Sequence, residues 1–314
     1  MGNPLNKRVF ITGAAGLVGQ NLIPKLKSMK DWDIIAADKH TTNTNLLAEL
    51  HPDIEVIETD LSEAGDWQAT LADCDAAILL HAQIGGLDET EFHANNIAAT
   101  EHCLDVIQPG KVEYVVHASS SVVNSMADDF YTRSKTKQEK LFLDLETPHI
   151  VLRPTLMFGW FDRKHVGWLR RFMERAPVFP IPGNGRYLRQ PLYAGDFSAI
   201  IQACLENRIE GTYNISGQER IDYIDLIKTM KKVTQEKTPI LKIPYWVFYG
   251  LLRTYALFDR NPPFTINQLE ALVTPDVFEV IDWPGIFDVE STPLQTALEE
   301  TFLDPKYSQI DLDF

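Results

Sequence analysis

Short apolar runs recur along the first half of the chain, each followed by a longer stretch of mixed polarity. RVFIT (8–12), DIIAA (33–37), IEVIE (54–58), AAILL (76–80), YVVH (114–117) and HIVLR (149–153) are β-branched or aliphatic and only four or five residues long. Near-continuous apolar runs of that length predict strands buried on both faces. Residues 21–28 place Leu22, Ile23 and Leu26 at helical spacing, and helix-like stretches follow near 44–50, 63–72, 90–107 and 131–145. Alternation of this kind predicts an α/β fold, a doubly wound parallel sheet with helices on both faces.

The texture changes after Arg153-Pro154. Residues 154–190 are rich in proline, aromatics and arginine, and Gln190–Asn207 reads as one more strand and helix. The expected organisation is a sheet domain over 1–155, with 188–210 returning to it. A smaller lobe would hold 156–187 and 211–314. The longest apolar stretch, Ile243–Phe258, contains Arg253 and is too short to span a bilayer. It reads as a buried or pocket-lining helix. The closing SQIDLDF reads as an acidic tail or edge segment, and no internal repeat is present.

Composition narrows the partners. The 314 residues carry a formal net charge of −15, which argues against nucleic acid as a ligand. An anionic substrate then needs local basic groups. Cys74, Cys103 and Cys204 are scattered, with no CxxC and no Cys/His cluster, so no metal site is expected. An odd count without a framework fits a reducing, cytoplasmic compartment. The N-terminal MGNPLNKRVFITG lacks a signal-peptide core, and no membrane partner is expected.

TGAAGLVG (12–19) lies between the first strand and the first helix. Gly13 permits the sharp turn, Gly16 lets the backbone approach a pyrophosphate, and Gly19 allows close packing of helix on sheet. Free N–H groups of the loop and helix start, at Ala15, Leu17 and Val18, would face the phosphates. Asp38 ends the second strand, 25 residues after Gly13. A carboxylate there accepts both ribose hydroxyls of NAD and repels the 2′-phosphate of NADP. Lys39 leaves some tolerance of NADP. The plain alternative for Asp38 is a solvated strand end. Asp60 and Leu61, after the third strand, would flank the adenine or simply form a turn.

HASSSVVNSMADDFYTRSK (117–135) carries the candidate chemistry. Tyr131 and Lys135 are at i and i+4 and share a helix face. They are the single Tyr/Lys pair of that spacing in the chain. A nearby ammonium favours the phenolate, so Tyr131 can take a hydroxyl proton while hydride leaves the same carbon. A serine hydroxyl would hold the substrate oxygen in line.

With these motifs in view, the chain resembles the extended short-chain dehydrogenase/reductases of the NAD-dependent epimerase/dehydratase family. The likeness spans residue 7 to about 300. It rests on TGAAGLVG, Asp38, TDL (59–61), LHAQ (80–83), NIAAT (96–100), HASS (117–120), YTRSK (131–135), LRPTLMFG (152–159), RQPLYAGD (189–196) and NISG (214–217). The resemblance implies a Rossmann fold, NAD as cofactor and catalysis by Ser120, Tyr131 and Lys135. It implies that His81, Ala82 and Gln83 line the inner ribose and pyrophosphate. Asn96 would support the loop after the fourth strand, and the backbone near Pro154 would meet the nicotinamide. The serine register is open: HASS favours Ser120, and counting back from Val122-Val123 favours Ser119. Arg189 matches the family arginine for a nucleotide diphosphate, with Arg186 a second candidate. Arg170, Arg171 and Arg175 read more simply as a solvated basic face.

Two departures stand out. Val123-Asn124-Ser125 replaces the usual Val-Tyr-Gly, and the serine–tyrosine link is short. Ser121 and Val122 replace the Asp-Glu pair of related dehydratases, which argues against water elimination. The leading expectation is an NAD-dependent sugar-nucleotide epimerase or oxidoreductase. The alternatives are a reductase or dehydrogenase of a non-nucleotide alcohol, and a catalytically silent NAD-bound structural subunit. A homodimer through the helices near 90–107 and 131–145 is also implied.

Overall fold

The computed structural model describes residues 6–108, 110–126, 128–255, 266–273, 278–310 and 312. The first half runs β1 (Lys7–Thr12), α1 (Leu17–Ser28), β2 (Trp32–Asp38), α2 (Thr41–Leu50), β3 (Glu55–Glu58), α3 (Trp67–Ala72), β4 (Ala76–Leu79), α4 (Glu89–Phe92), α5 (Ala99–Ile107), β5 (Tyr114–Ala118), α6 (Phe130–Lys140) and β6 (His149–Pro154). A π-helical stretch, His93–Ala98, joins α4 to α5. The second half runs β7 (Met157–Phe158), α7 (Val166–Arg175), β8 (Phe179–Pro182), β9 (Leu188–Arg189), β10 (Leu192–Tyr193), α8 (Ala194–Asn207), β11 (Gly211–Ile215), β12 (Ile221–Asp222), α9 (Tyr223–Thr234), β13 (Ile240–Ile243), α10 (Tyr245–Tyr255), α11 (Ile266–Val273), α12 (Trp283–Phe287) and α13 (Leu294–Leu303).

The central sheet has seven parallel strands in the order β11-β6-β5-β4-β1-β2-β3. Chain order reverses between β1 and β4. That switch point opens a crevice at the carboxyl ends of the strands, where ligands bind in such sheets. Alternate side chains serve opposite faces. Val9 and Ile11 pack with α1 and α8, and Phe10 packs with Trp67 and Leu71 of α3 on the other face. Both faces of the inner strands are buried, which is why β4 and β5 show no polar alternation, whereas edge strand β3 sets Glu on both sides of its aliphatics.

A separate apolar cluster forms the smaller lobe. Met173 of α7, Phe179 and Ile181 of β8, Ile227 and Met230 of α9, and Leu298 and Phe302 of α13 meet there. Its strands pair only in twos: β7 with β10, β9 with β12, and β8 with β13.

Three expectations change. Residues 211–215, expected in the lobe, form β11 at the edge of the main sheet, because Gly211–Ile215 pairs in parallel with Ile150–Pro154. Trp283 and Phe287 also pack into the sheet domain's core. The stretch expected as a buried or pocket-lining helix forms α10, and no described side chain of α10 is buried; 256–258 lie outside the described residues. The tail docks: Leu312 is buried near Phe161 and Tyr307, and its carbonyl accepts from Arg163.

Candidate active site

The glycine loop is shaped by its neighbours. Gly13 has φ +63°, and a Cβ there would lie 2.7 Å from the His81 backbone nitrogen. A side chain is barred both by conformation and by space. At Gly19 a Cβ would come within 2.3 Å of the Ala14 carbonyl oxygen, so only glycine lets α1 sit this close to the loop. The first turn of α1 has no acidic residue and no side-chain cap, which leaves its N–H groups and positive dipole end for an anion. Asp38 accepts hydrogen bonds from the backbone of Ala15 (3.0 Å) and His40 (3.0 Å). Burial raises its carboxyl above the ordinary value, and these backbone bonds partly offset that. The loop, the helix end and the carboxylate fit a dinucleotide: Ala15, Gly16, Leu17 and Val18 could hold its pyrophosphate and Asp38 its ribose. Asp60 accepts from Ser62 and pairs with Lys39 at 3.3 Å, so Lys39 is drawn towards a carboxylate. Leu61 is buried in the sheet domain's core.

The loop after β4 is fastened by Asn96. Its Oδ1 accepts from Gln83 N at 2.6 Å; its Nδ2 donates to Gln83 O at 3.1 Å and Ser134 Oγ at 2.8 Å. Ala82 is exposed at the crevice. The His81 side chain does not face the crevice. Its ring turns inward, with Nδ1 2.7 Å from Thr12 Oγ1 and Nε2 2.9 Å from Thr100 Oγ1. Only its backbone is left to line the cofactor. Burial, reinforced by Lys135, pushes the imidazole down to about 3, so it is neutral.

The short serine–tyrosine link closes by local folding. Residues 121–124 make one 3-10 turn, and Ser120 Oγ accepts from Val122 N at 3.4 Å. Asp129 caps α6 by accepting from Thr132 N at 2.7 Å, a contact worth about 1 kcal/mol. Tyr131 therefore sits in the first turn of α6, with its hydroxyl on the side of Ser120. Burial raises the Tyr131 phenol, and the Ser120 bond lowers it part of the way back. Ser119 points elsewhere: it donates to Glu139 Oε2 at 2.6 Å. Arg153 donates from Nε to both oxygens of the same carboxylate, at 3.2 and 3.1 Å. Burial would raise Glu139, but the Arg153 and Ser119 bonds outweigh it and hold the group ionised.

Lys135 lies one turn beyond Tyr131 and is fully buried. Its ammonium donates to Ala118 O at 3.0 Å and Gln138 Oε1 at 2.5 Å. Gln138 in turn donates to Thr100 Oγ1 at 2.8 Å. Burial pulls Lys135 down to about 7, against the opposing pull of Glu139. Glu139, Arg153 and Gln138 were not singled out from sequence. Their signal was positional: Gln138 and Glu139 stand three and four residues beyond Lys135, on the same helix face. Pro154 ends β6 and is buried.

The expected substrate arginines are placed differently. Arg189 donates to Leu188 O (2.8 Å) and to Leu272 O, and its guanidinium stacks on Tyr187 at 5.4 Å. Arg186 is exposed beside the turn at Gly183-Asn184. Arg163 and Arg171 serve backbone carbonyls, and Arg170 lies over Phe302.

A doubly wound sheet, a glycine loop at its switch point and a Ser/Tyr/Lys set at its carboxyl edge define a dinucleotide-dependent oxidoreductase-like protein. The profile of the NAD dependent epimerase/dehydratase family matches residues 9–216, and the chain belongs to that family, whose cofactor is NAD. Among curated relatives, a 3 beta-hydroxysteroid dehydrogenase/Delta 5→4-isomerase of Mycobacterium tuberculosis is 28% identical over 294 residues, covering 82% of this chain and 78% of its own. The mitochondrial NADH dehydrogenase [ubiquinone] 1 alpha subcomplex subunit 9 of rat is 28% identical over 191 residues, 59% of this chain and about half (49%) of its own length. The structure of UDP-glucuronic acid 4-epimerase from Bacillus cereus with NAD superposes with a TM-score of 0.68 at 21% identity, covering 94% of each chain. No described helix is long and apolar enough to cross a membrane.

Proposed function

We propose that this protein catalyses reversible oxidation at a carbinol carbon of a nucleotide-linked sugar, as an epimerase or oxidoreductase, with Tyr131 as the base. The observation that carries the reading is the placement of Tyr131 beside Ser120, one helical turn from a buried lysine. Bound NAD supplies the hydride acceptor. Ser120 would hold the substrate oxygen, Tyr131 would take its proton, and the Lys135 ammonium would favour the phenolate. Asn96 and Ser134 keep the loop after β4 and α6 in register. Arg189 would exchange its carbonyl partners for a diphosphate, a charge-assisted contact. The UDP-sugar epimerase among its structural relatives supports the substrate class.

A second reading, an apolar alcohol or ketone, draws support from side chains on loops at the carboxyl edge of the sheet. Ile84, Leu87, Met126 and Leu156 are 51%, 99%, 101% and 43% exposed. The hydroxysteroid dehydrogenase relative points the same way. We also read the protein as a homodimer; an open groove of about 470 Å³ lined by Leu104, Asp105, Leu141 and Leu145 is available to a second copy.

The test is mass spectrometry of small molecules released from the purified protein, followed by incubation with NAD and pooled nucleotide sugars. A converted nucleotide sugar of unchanged mass establishes epimerisation, and a change of two hydrogens establishes a dehydrogenase or reductase. NAD bound with every nucleotide sugar untouched rejects the lead reading and turns the assay to apolar alcohols.

A further inference from the structure

The smaller lobe carries an apolar surface that the proposed chemistry does not use. Among the described residues thirteen large apolar side chains are exposed, and four of them fall between 241 and 251: Leu241, Tyr245, Trp246 and Leu251, at 51%, 38%, 76% and 59%. They sit on β13 and α10, away from the glycine loop. β13 is held at the lobe by parallel pairing of Ile240–Ile243 with Phe179–Pro182. Val247, Phe248, Tyr249 and Leu252 are half-buried, so the helix is seated on the lobe by one side only. Clustered exposure of this kind marks an interaction surface.

Charge identifies the partner. The chain has a net charge of −15, yet residues 237–255 contain no acid and three cations, Lys237, Lys242 and Arg253. All three are exposed. The neighbouring α11 adds a single described acid, Glu270. Trp and Tyr with basic flanks suit the boundary between lipid headgroups and acyl chains, where an aromatic ring has one wet and one dry side. A helix of eleven residues cannot cross a bilayer but can lie along it. The basic segment acts within a Debye length of about 8–10 Å of an anionic surface, while the acidic body is screened beyond it.

We propose that α10 and β13 form a docking surface for an anionic phospholipid bilayer, on which the lobe rests peripherally. The surface leaves the glycine loop free, so NAD binding and docking are separable.

The test is co-sedimentation of the full, NAD-loaded chain with vesicles of phosphatidylglycerol and phosphatidylcholine in equal parts, against phosphatidylcholine alone. Binding to the anionic vesicles is expected, weakening as salt rises. Trp246→Ser combined with Leu251→Ser should weaken it about tenfold or more. Lys242→Glu combined with Arg253→Glu should remove the preference for anionic lipid. Brominated lipid should quench part of the wild-type tryptophan emission and spare that of the Trp246→Ser variant. Unchanged NAD retention shows that each variant is folded. No sedimentation with anionic vesicles, or equal sedimentation of all variants, overturns the proposal. So does a self-association of the wild-type chain that Trp246→Ser/Leu251→Ser abolishes, since a second copy would then cover the helix.

Discussion

In the sheet domain β1, β2, β4 and β5 bury nearly every side chain, and successive residues feed two different cores. In the lobe β7, β9, β10 and β12 are two residues long and pair only in twos. The first region is specified by repetition: a period-2 strand, a glycine turn, a helix, then the same again. The second is specified by individual contacts, such as Arg189 on Tyr187 or Tyr187 stacked on Tyr223 at 5.3 Å. Backbone geometry accordingly dictates the cofactor half of the site, and single side chains dictate the substrate half. Substitutions should separate the two halves.

The largest effect belongs to the chemistry at the sheet's edge. Tyr131→Phe should cut turnover of the converted substrate by about 10²–10⁴-fold while NAD retention is unchanged, as measured by steady-state rates and released cofactor. Gly19→Val should destabilise the sheet domain by about 1–3 kcal/mol, seen as a lowered Tm, because its side chain would enter the Ala14 carbonyl. Asp38→Asn should weaken NAD about tenfold and narrow the gap to NADP, read by titration of each cofactor. Arg189→Ala should raise KM for a nucleotide sugar about fivefold and leave NAD affinity alone. An equal loss of both would erase the division between the halves.

The last test is a pH slope in stability. Lys135 is held down to about 7 in the folded protein, against an ordinary value of 10.5. Between those values the unfolded chain binds a proton that the folded chain has released. Stability of the cofactor-free protein should therefore rise with pH across that window, and the cost of burying the ammonium is fully present below it. Lys135→Met should remove that part of the slope in denaturant titrations at several pH values.

Repetition also explains what the sequence revealed. The six strands of the first half were legible as short, mostly aliphatic runs, and the start of α6 by the Tyr131/Lys135 spacing. β11 was not: GTYNI has exposed Gly211 and Thr212, as an edge strand can, and so lacks the apolar signature of its neighbours. The Ser119/Ser120 choice could not be made from spacing. The structure favours Ser120: its extended backbone ahead of the 3-10 turn leaves it on the side of Tyr131, while Ser119 donates to Glu139. His81 was assigned to the cofactor by its motif, yet Thr12 and Thr100 offer its ring two partners in the interior. α10 was read as buried or pocket-lining because it is apolar. Its exposure is a tertiary outcome that composition does not encode.

The proposed function requires that Ser120, Tyr131 and Lys135 form a working hydride-transfer site. The experiment is single-turnover conversion of nucleotide sugars deuterated at the carbinol carbon, followed by mass spectrometry for wild type and Tyr131→Phe at equal NAD occupancy. Conversion that is slowed by deuterium in the wild type and absent in the variant is the expected result. Equal conversion by both proteins, or none by a fully NAD-loaded wild type across nucleotide sugars and apolar alcohols alike, would contradict it.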